Sequence, residues 1–421
     1  LSTEQIIPAN TNQEFNIQLD ESSSDKIAFL QHSSGTTGLQ KGVALSHQSV
    51  LNQLSSYSKA INLTSDDVIV SWLPLYHDMG LVAGFVMPLV AGIPLVLMSP
   101  FEWVRKPHML LNAIHQYNGT LAWLPNFAYN HIARTVRPQF VDGVDLSKWR
   151  AVINCSEPVL VESHQVFSDK LSEYGFVESA LSTCYAMAEN TFAVTQSKLG
   201  TSPKIDVIDL VAMQEERQAR PANNGKAEVS VVSCGKPIEG TELRVISDKS
   251  DLPERHIGEI AVRSNSMLTE YYHRPDLTTQ EIRAGWYFTG DMGYIAEGEL
   301  FITGRKKDLI IVGGKNIYPQ DLEAIANDIE GIYPGRAVAF GIFDERLGTE
   351  GVVLVCELKG PSDEDGQYQI EKELRGLISK ATEIALSDIR LVAERWVIKT
   401  SSGKIARDDN RKKYLKEFRS E

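Results

Sequence analysis

The chain has 421 residues, 43% hydrophobic and 23% charged, with a formal net charge of −13. That length exceeds what one hydrophobic core fills, so two or more domains are expected. The acidic balance excludes a general nucleic-acid binder, because no broad positive field draws phosphates. Four scattered cysteines, Cys155, Cys184, Cys234 and Cys356, show neither CxxC nor metal-ligand spacing. They read as reduced thiols of a cytoplasmic protein.

Residues 1–25 are polar and irregular; KIAFLQHSS then reads as a strand entering a loop. Short apolar runs alternate with helical patterns to about residue 200: DVIVSWLP, IPLVLMSP and GTLAWLPN as strands, HMLLNAIHQY as a helix. Such alternation predicts a parallel α/β sheet covered on both faces. Gly80–Met98 is nineteen residues without a charge, but two prolines and three glycines interrupt it. It reads as a buried helix to about Val90, a turn at Gly92 and a strand from about Pro94, not as a membrane span. After Gly200 the texture changes. A polar stretch at about 201–230 holds a helical patch, DLVAMQEERQAR, and a loop, PANNGKAE. Short, turn-rich segments from Val231 to Leu300 predict a small β-structure. Beyond GRKKD (304–308), strands at RAVAFGI and GVVLVCEL with amphipathic helices predict a compact α+β unit.

SSGTTGLQKG (33–42) is the most informative segment. Glycine lets backbone N–H groups converge on an anion, hydroxyls add donors, and a lysine supplies a point charge for a triphosphate. Ser33, Ser34, Gly35, Thr36, Thr37, Gly38 and Lys41 are therefore candidate phosphate ligands. The pattern is not GxxxxGK[ST], because Gly42 follows Lys41. Asp291, in WYFTGD (286–291), is placed to accept from ribose hydroxyls. Alone, it reads equally as a turn cap. No GxSxG occurs, so a serine hydrolase finds no support.

With this loop come LPLYHDMG (73–80), NCSEPV (154–159), CYAMAEN (184–190), WYFTGD, GRKKDLIIVGGKNIYPQDLE (304–323) and TSSGKIAR (400–407), in this order. The set resembles acyl-adenylate-forming enzymes from about residue 26 to the end. Within that superfamily, YPQD (318–321), SPFEWVRKP, LPNFAYN and a long 197–230 segment resemble the fatty acyl-AMP ligases. The resemblance implies a large parallel-sheet α/β domain with a small β-structure (1–304) and a smaller, mobile α+β lid (305–421). It implies ATP and Mg²⁺ as cofactors, and a fatty acid activated to acyl-AMP. His77 would then lie by the acid's carboxylate. Glu157, Pro158, Tyr185 and Ala186 would line the adenine site, and Glu189 would hold the metal. Arg305 would meet ribose or phosphate, Asp308 would be the hinge, and Lys404, with Lys41 and Glu189, would act in catalysis. The 201–230 insertion would restrain the lid and disfavour CoA.

An acyl carrier protein is the acceptor this branch implies, and the basic end (Arg411, Lys412, Lys413, Lys416, Arg419) could meet its acidic surface. A solvated helix face is the equal alternative. Gly313-Gly314 stands where the branch carries an arginine, so CoA stays open as acceptor. Only 32 residues precede Ser33, whereas the branch carries a further subdomain there. The chain is thus expected to be a fragment, to receive that piece from elsewhere, or to be a non-catalytic nucleotide-binding relic. Neither nucleic acid nor stable membrane insertion is expected.

Overall fold

The computed structural model describes residues 23–33, 41–223, 227–247, 250–313, 315–344, 349–382, 384–400 and 403–419. A seven-stranded sheet organises the first half. Its order is Lys236–Pro237, Ala193–Gln196, Leu181–Ala186, Ala151–Asn154, Leu121–Leu124, Ile69–Ser71, Leu95–Leu97. The last five are mutually parallel, and Ala193–Gln196 runs antiparallel to both of its neighbours. LAWL and AVIN are buried at every position, as strands covered on both faces must be. The helices His47–Ala60, His108–Tyr117, Asn126–Thr135 and Val161–Ser172 share one apolar core with this sheet. The first of them starts at Ser46, whose Oγ accepts from Ser49 N at 3.1 Å. It turns Val50, Gln53, Leu54 and Tyr57 inward at helical spacing.

The uncharged stretch at 80–98 becomes two short helices, Met79–Val86 and Met87–Ala91, then the strand Leu95–Leu97. Gly92 makes the turn at φ +68°. Leu89 and Val90 stay exposed, so the helix is buried only in its first part. Among the described residues no helix is long and apolar enough to cross a membrane.

KIAFLQHSS forms the strand Ile27–Ser33, but in a separate antiparallel sheet with Lys41–Ser46 and Glu270–Tyr271. The expected small β-structure is a six-stranded antiparallel sheet built on Trp286–Ala296. Strand Glu299–Arg305 pairs with that same strand. Between them lies the insertion, where Ile205–Asp209 pairs with Glu228–Val232. Its helical patch is shorter than expected, with a single wide turn at Ala212–Glu216. Arg217 goes left-handed at φ 54° and Gln218 and Pro221 join extended bridges, which ends the helix.

The C-terminal part opens with the hairpin Ile310–Val312 and Lys315–Ile317. Ile332–Asp344, Thr349–Leu358 and Leu386–Val392 form its main sheet, the last two parallel. Helices Pro319–Asn327, Glu364–Thr382 and Arg407–Phe418 pack on it. Its cores, around Leu322, Leu354 and Leu374 and around Val338, Val353 and Tyr414, are separate from the first-half core. A further cluster joins Ile208, Met213 and Met292 to Leu309 and Tyr318, so the insertion touches the chain on both sides of residue 308.

One ion pair with a buried carboxylate staples the parallel sheet below the site. Arg150 grips Asp67 with Nε and Nη2 at 2.7 and 2.8 Å, and donates to Ile61 O and Asn62 O. Thr120 Oγ1 and Thr64 N also donate to Asp67. Burial by itself raises the Asp67 pKa, but Arg150 and these donors outweigh it and hold it below the ordinary value. Arg150→Ala, which strands a buried carboxylate, is expected to cost about 3 kcal/mol in urea unfolding at neutral pH. Asp67 is the depressed case, so its stabilisation is present above the unfolded pKa and lost as pH falls through the folded one. The gap between wild type and variant should therefore narrow below about pH 4.

Candidate active site

Parallel α/β sheets present ligand sites where their strands end, because the loops there converge. Four carboxyl ends do so here. Strand Ile69–Ser71 leads to His77 and Asp78, Leu121–Leu124 to Phe127, Ala151–Asn154 to Ser156 and Glu157, and Leu181–Ala186 to Glu189. The His77 loop is pinned from the neighbouring strand by Gln31 Nε2, which donates to Tyr76 O at 3.0 Å. Gly80 is needed at the start of the helix that follows, since a Cβ there would strike the Pro74 carbonyl. Two loops hold non-glycine residues in left-handed backbone, Ser156 at φ 70° and Thr191 at φ 62°. Such strain clusters at functional sites.

A cavity of about 500 Å³ lies between these loops, the strand around Tyr287–Asp291, the turn at 305–307, and Lys404. On one wall Asp291 accepts from Tyr185 Oη at 2.6 Å and pairs with Arg305 Nε at 2.9 Å. Thr289 Oγ1 accepts from Asp291 N at 3.0 Å and fixes the carboxylate's backbone. Arg305 is held more firmly charged than usual, above all by Asp291. Elsewhere on the cavity Glu189 Oε1 accepts from Tyr271 Oη at 2.9 Å. Burial pushes the Glu189 pKa up, against its hydrogen bonds and Lys41. Lys41 Nζ sits 4.8 Å from the Tyr271 ring centre and 3.8 Å from Glu281.

Lys404 enters from the far end of the chain on a tight turn. Thr400 N donates to Lys404 O at 2.7 Å, and Lys404 N donates to Thr400 Oγ1 at 3.2 Å. Burial and then Arg305 push its pKa down, while Asp78, Glu157 and Asp291 pull the other way. Burial would raise the Asp78 pKa, but His77, 2.6 Å away through Nδ1, and Lys404 hold it below the usual range.

Lys41, His77, Ala186, Glu189, Asp291, Arg305 and Lys404, all singled out from sequence, line this cavity. Ser34, Gly35, Thr36, Thr37 and Gly38 lie outside the described residues, and of Ser33 only the backbone, ending its strand, is described. The cavity is lined by Ser156 rather than by its neighbours Glu157 and Pro158. Glu157 accepts from Phe127 N at 3.0 Å, and Pro158 is exposed. Tyr185 is buried behind Asp291 rather than on the cavity surface. Asp308 is not on the cavity and pairs with Arg407. Tyr271, Tyr287, Thr289, Glu281 and Lys307 were not singled out. Nothing local marks Tyr271, whose partner Glu189 lies far away in sequence. Lys307 stands inside GRKKD, where its position had signalled nothing beyond Arg305 and Asp308.

A metal would find one fitting carboxylate here. Glu189 is half-buried at the cavity, and the one hydrogen bond described for its side chain leaves oxygen lone pairs free. Mg²⁺ takes one or two protein carboxylates and completes its shell with phosphate and water. The whole arrangement can hold a polyanion among cations, beside a carboxylate fitted to accept from sugar hydroxyls.

A family model for AMP-binding enzymes matches residues 2–272. A medium-chain-fatty-acid–[acyl-carrier-protein] ligase of Moorena producens is 33% identical, aligned over 97% of this chain and 71% of its own. A 4-hydroxyphenylalkanoate adenylyltransferase of Mycobacterium tuberculosis is 32% identical, over 92% and 65%. A solved structure from work on fatty acyl-adenylate ligases of E. coli and L. pneumophila superimposes with a TM-score of 0.90 at 30% identity, covering 97% of this chain and 73% of that one. The chain thus spans about two thirds of the length of these curated relatives.

If Asp291 is a sugar ligand, Asp291→Ala should weaken AMP binding about tenfold or more, the worth of charge-assisted hydrogen bonds. Calorimetric titration with AMP checks this; unchanged affinity would remove Asp291 from the nucleotide site.

Proposed function

The chain belongs to the AMP-binding enzymes, in their fatty acyl-AMP ligase branch, and from that premise we propose that it activates a fatty acid with ATP to acyl-AMP and then passes the acyl group to the phosphopantetheine thiol of a carrier protein. The observation that carries this reading is the convergence of Lys41, Glu189, Asp291, Arg305 and Lys404 on one cavity.

In the first half-reaction a carboxylate oxygen bonds to the α-phosphorus as the bond to pyrophosphate breaks; no proton is transferred. Two anions must approach, so the protein must cancel repulsion and align the attack. Lys404 and Arg305 would face the phosphates from one side and Lys41 from the other. His77, oriented by Asp78, would meet the acid. Asp291 would hold the ribose. Mg²⁺, when bound beside Glu189, draws charge off the phosphates. We take residues 1–304 as the nucleotide- and acid-binding part and 305–421 as a lid turning at Asp308. The four free, buried cysteines accord with a reducing cytoplasm.

The acceptor reading rests on the insertion. Asn316 Nδ2 donates to Gln214 O at 2.7 Å, Arg217 Nη2 donates to Asn316 Oδ1 at 3.3 Å, and Lys315 pairs with Glu215 at 3.0 Å. These contacts tie the insertion to the hairpin just past Asp308. A tied lid gives less room for CoA, which favours a carrier protein; acyl-CoA formation is the second reading. The basic last helix supports a carrier surface less than its composition suggests. Lys412 and Arg411 pair with Asp408, and Lys413 donates to Trp396 O.

Incubation with ATP, Mg²⁺ and a fatty-acid panel, with and without CoA, tests the reading by mass of product. Acyl-AMP that persists in CoA supports it; acyl-CoA moves the chain to the synthetase reading. Lys404→Ala should lower acyl-AMP formation at least about 10²-fold yet spare transfer from preformed acyl-AMP. Normal acyl-AMP formation by that variant would unseat Lys404. Wild-type rate should fall on the alkaline side below the ordinary lysine value of 10.5, and Arg305→Gln should move that limb up. Asn316→Ala, which loosens the insertion, should raise acyl-CoA formation; no rise would remove the insertion from acceptor choice.

A further inference from the structure

Arg407 is outside the cavity, yet it joins the two cavity cations that most need restraint. Its guanidinium donates from Nη1 to Asp308 Oδ2 at 2.9 Å, and forks onto Glu323 from Nε at 3.1 Å and Nη2 at 2.6 Å. Glu323 is buried on helix Pro319–Asn327 and also accepts from Ala339 N at 2.9 Å, which seats it against the main sheet.

Each end of this link is rigidly coupled to a cavity cation three residues away. Asp308 N and Leu309 N both donate to Arg305 O at 3.1 Å, closing one turn. On the other side Ala406 N donates to Ile398 O at 3.1 Å, and buried Asn410 clamps Ile398 through both of its backbone groups at 2.8 and 2.9 Å. The Lys404 turn and helix Arg407–Phe418 are therefore one piece. A Cβ on Gly403 would lie 4.0 Å from Phe127, so this segment reaches the first turn of helix Asn126–Thr135. Arg305 and Lys404 carry like charges into one cavity and repel. The Asp308–Arg407 bond opposes that repulsion at the base of both turns.

We propose that Arg407 is a positioning residue that sets the spacing of Arg305 and Lys404 by tying residue 308 to the base of the Lys404 turn, and so holds the lid in the acyl-AMP-forming arrangement. The inference rests on the ligase reading above. It assigns Arg407 no contact with substrate. A guanidinium suits the task because its planar fork meets two carboxylates at once, which an ammonium cannot match.

The test uses the full-length protein as wild type, Arg407→Lys, Asp308→Asn and the double variant. Two half-reactions are read separately: acyl-AMP formation from fatty acid and ATP, and transfer from synthetic acyl-AMP to pantetheine above the uncatalysed rate. Arg407→Lys is expected to lower kcat for acyl-AMP formation about tenfold or more, since small misplacements cost that much. KM for ATP should stay within about twofold, and transfer should hold or rise. Asp308→Asn keeps the Glu323 fork, so its fold is less burdened; it should show the same split with a smaller loss. The double variant should be no worse than Arg407→Lys alone, because both remove one interaction. Parallel loss of both half-reactions with a lowered Tm, additive losses, or undiminished acyl-AMP formation would each overturn the proposal. A wild-type protein that makes no acyl-AMP overturns the ligase reading, and this one with it.

Discussion

Lys41, Arg305 and Lys404 face one cavity in a chain that is acidic overall, and the repulsion between Arg305 and Lys404 is the constraint around which the site is built. Like charges this close in a partly desolvated space destabilise one another. Each is answered by an anion or a ring fixed from elsewhere: Arg305 by Asp291, Lys41 by Glu281 and the Tyr271 face, Lys404 by the fields of Asp78 and Glu157. The anions are in turn committed. Asp291 accepts from Tyr185, and Glu157 from Phe127 N. What remains is a cationic surface whose charge is balanced but not quenched. A highly charged phosphate ligand would complete it.

The fold supplies that balance from a distance. The parallel sheet delivers Asp78, Glu157 and Glu189 beyond the carboxyl ends of three of its strands. The antiparallel sheet delivers Asp291 and Arg305 on neighbouring strands in direct register, so that pair is set by strand pairing rather than by a loop. Lys404 comes from the C-terminal part of the chain, which has its own hydrophobic cores.

Much of this was legible in the sequence, for a physical reason. Lys41, Glu189, Asp291, Arg305 and Lys404 each sit in a short segment whose glycines, hydroxyls and flanking strand are needed locally. The alternation of apolar runs likewise announced a parallel sheet, and the glycine and prolines at 80–98 announced a break. The partners were not legible. Tyr271, Phe127 and Arg407 act on residues far along the chain, and an aromatic or arginine gives no local sign of its mate. The insertion's helix was overestimated because DLVAMQEERQAR has helical composition, while pairing of 205–209 with 228–232 and the left-handed Arg217 compete for the same residues. The basic C-terminus misled in the same way: composition counts charges, but Asp408 and Trp396 already engage several of them.

The C-terminal part is therefore held at two places of different character. At the insertion, the Lys315–Glu215 pair is partly exposed, and such pairs contribute about 0–1 kcal/mol; the buried Asn316–Gln214 bond adds a single hydrogen bond's worth. At Asp308, the pair with Arg407 is largely shielded and shares its cation with Glu323. If the lid turns about residue 308, the insertion must release the hairpin, whereas the Arg407–Glu323 fork lies wholly within the turning body and can stay intact. The bond from Arg407 to Asp308 lies on the boundary itself. Its geometry would change with backbone rotation there, so on the proposed reading it would weigh on the balance between forming acyl-AMP and handing the acyl group on. On the proposed reading, the insertion would weigh on how far the lid travels, and thereby on which acceptor enters.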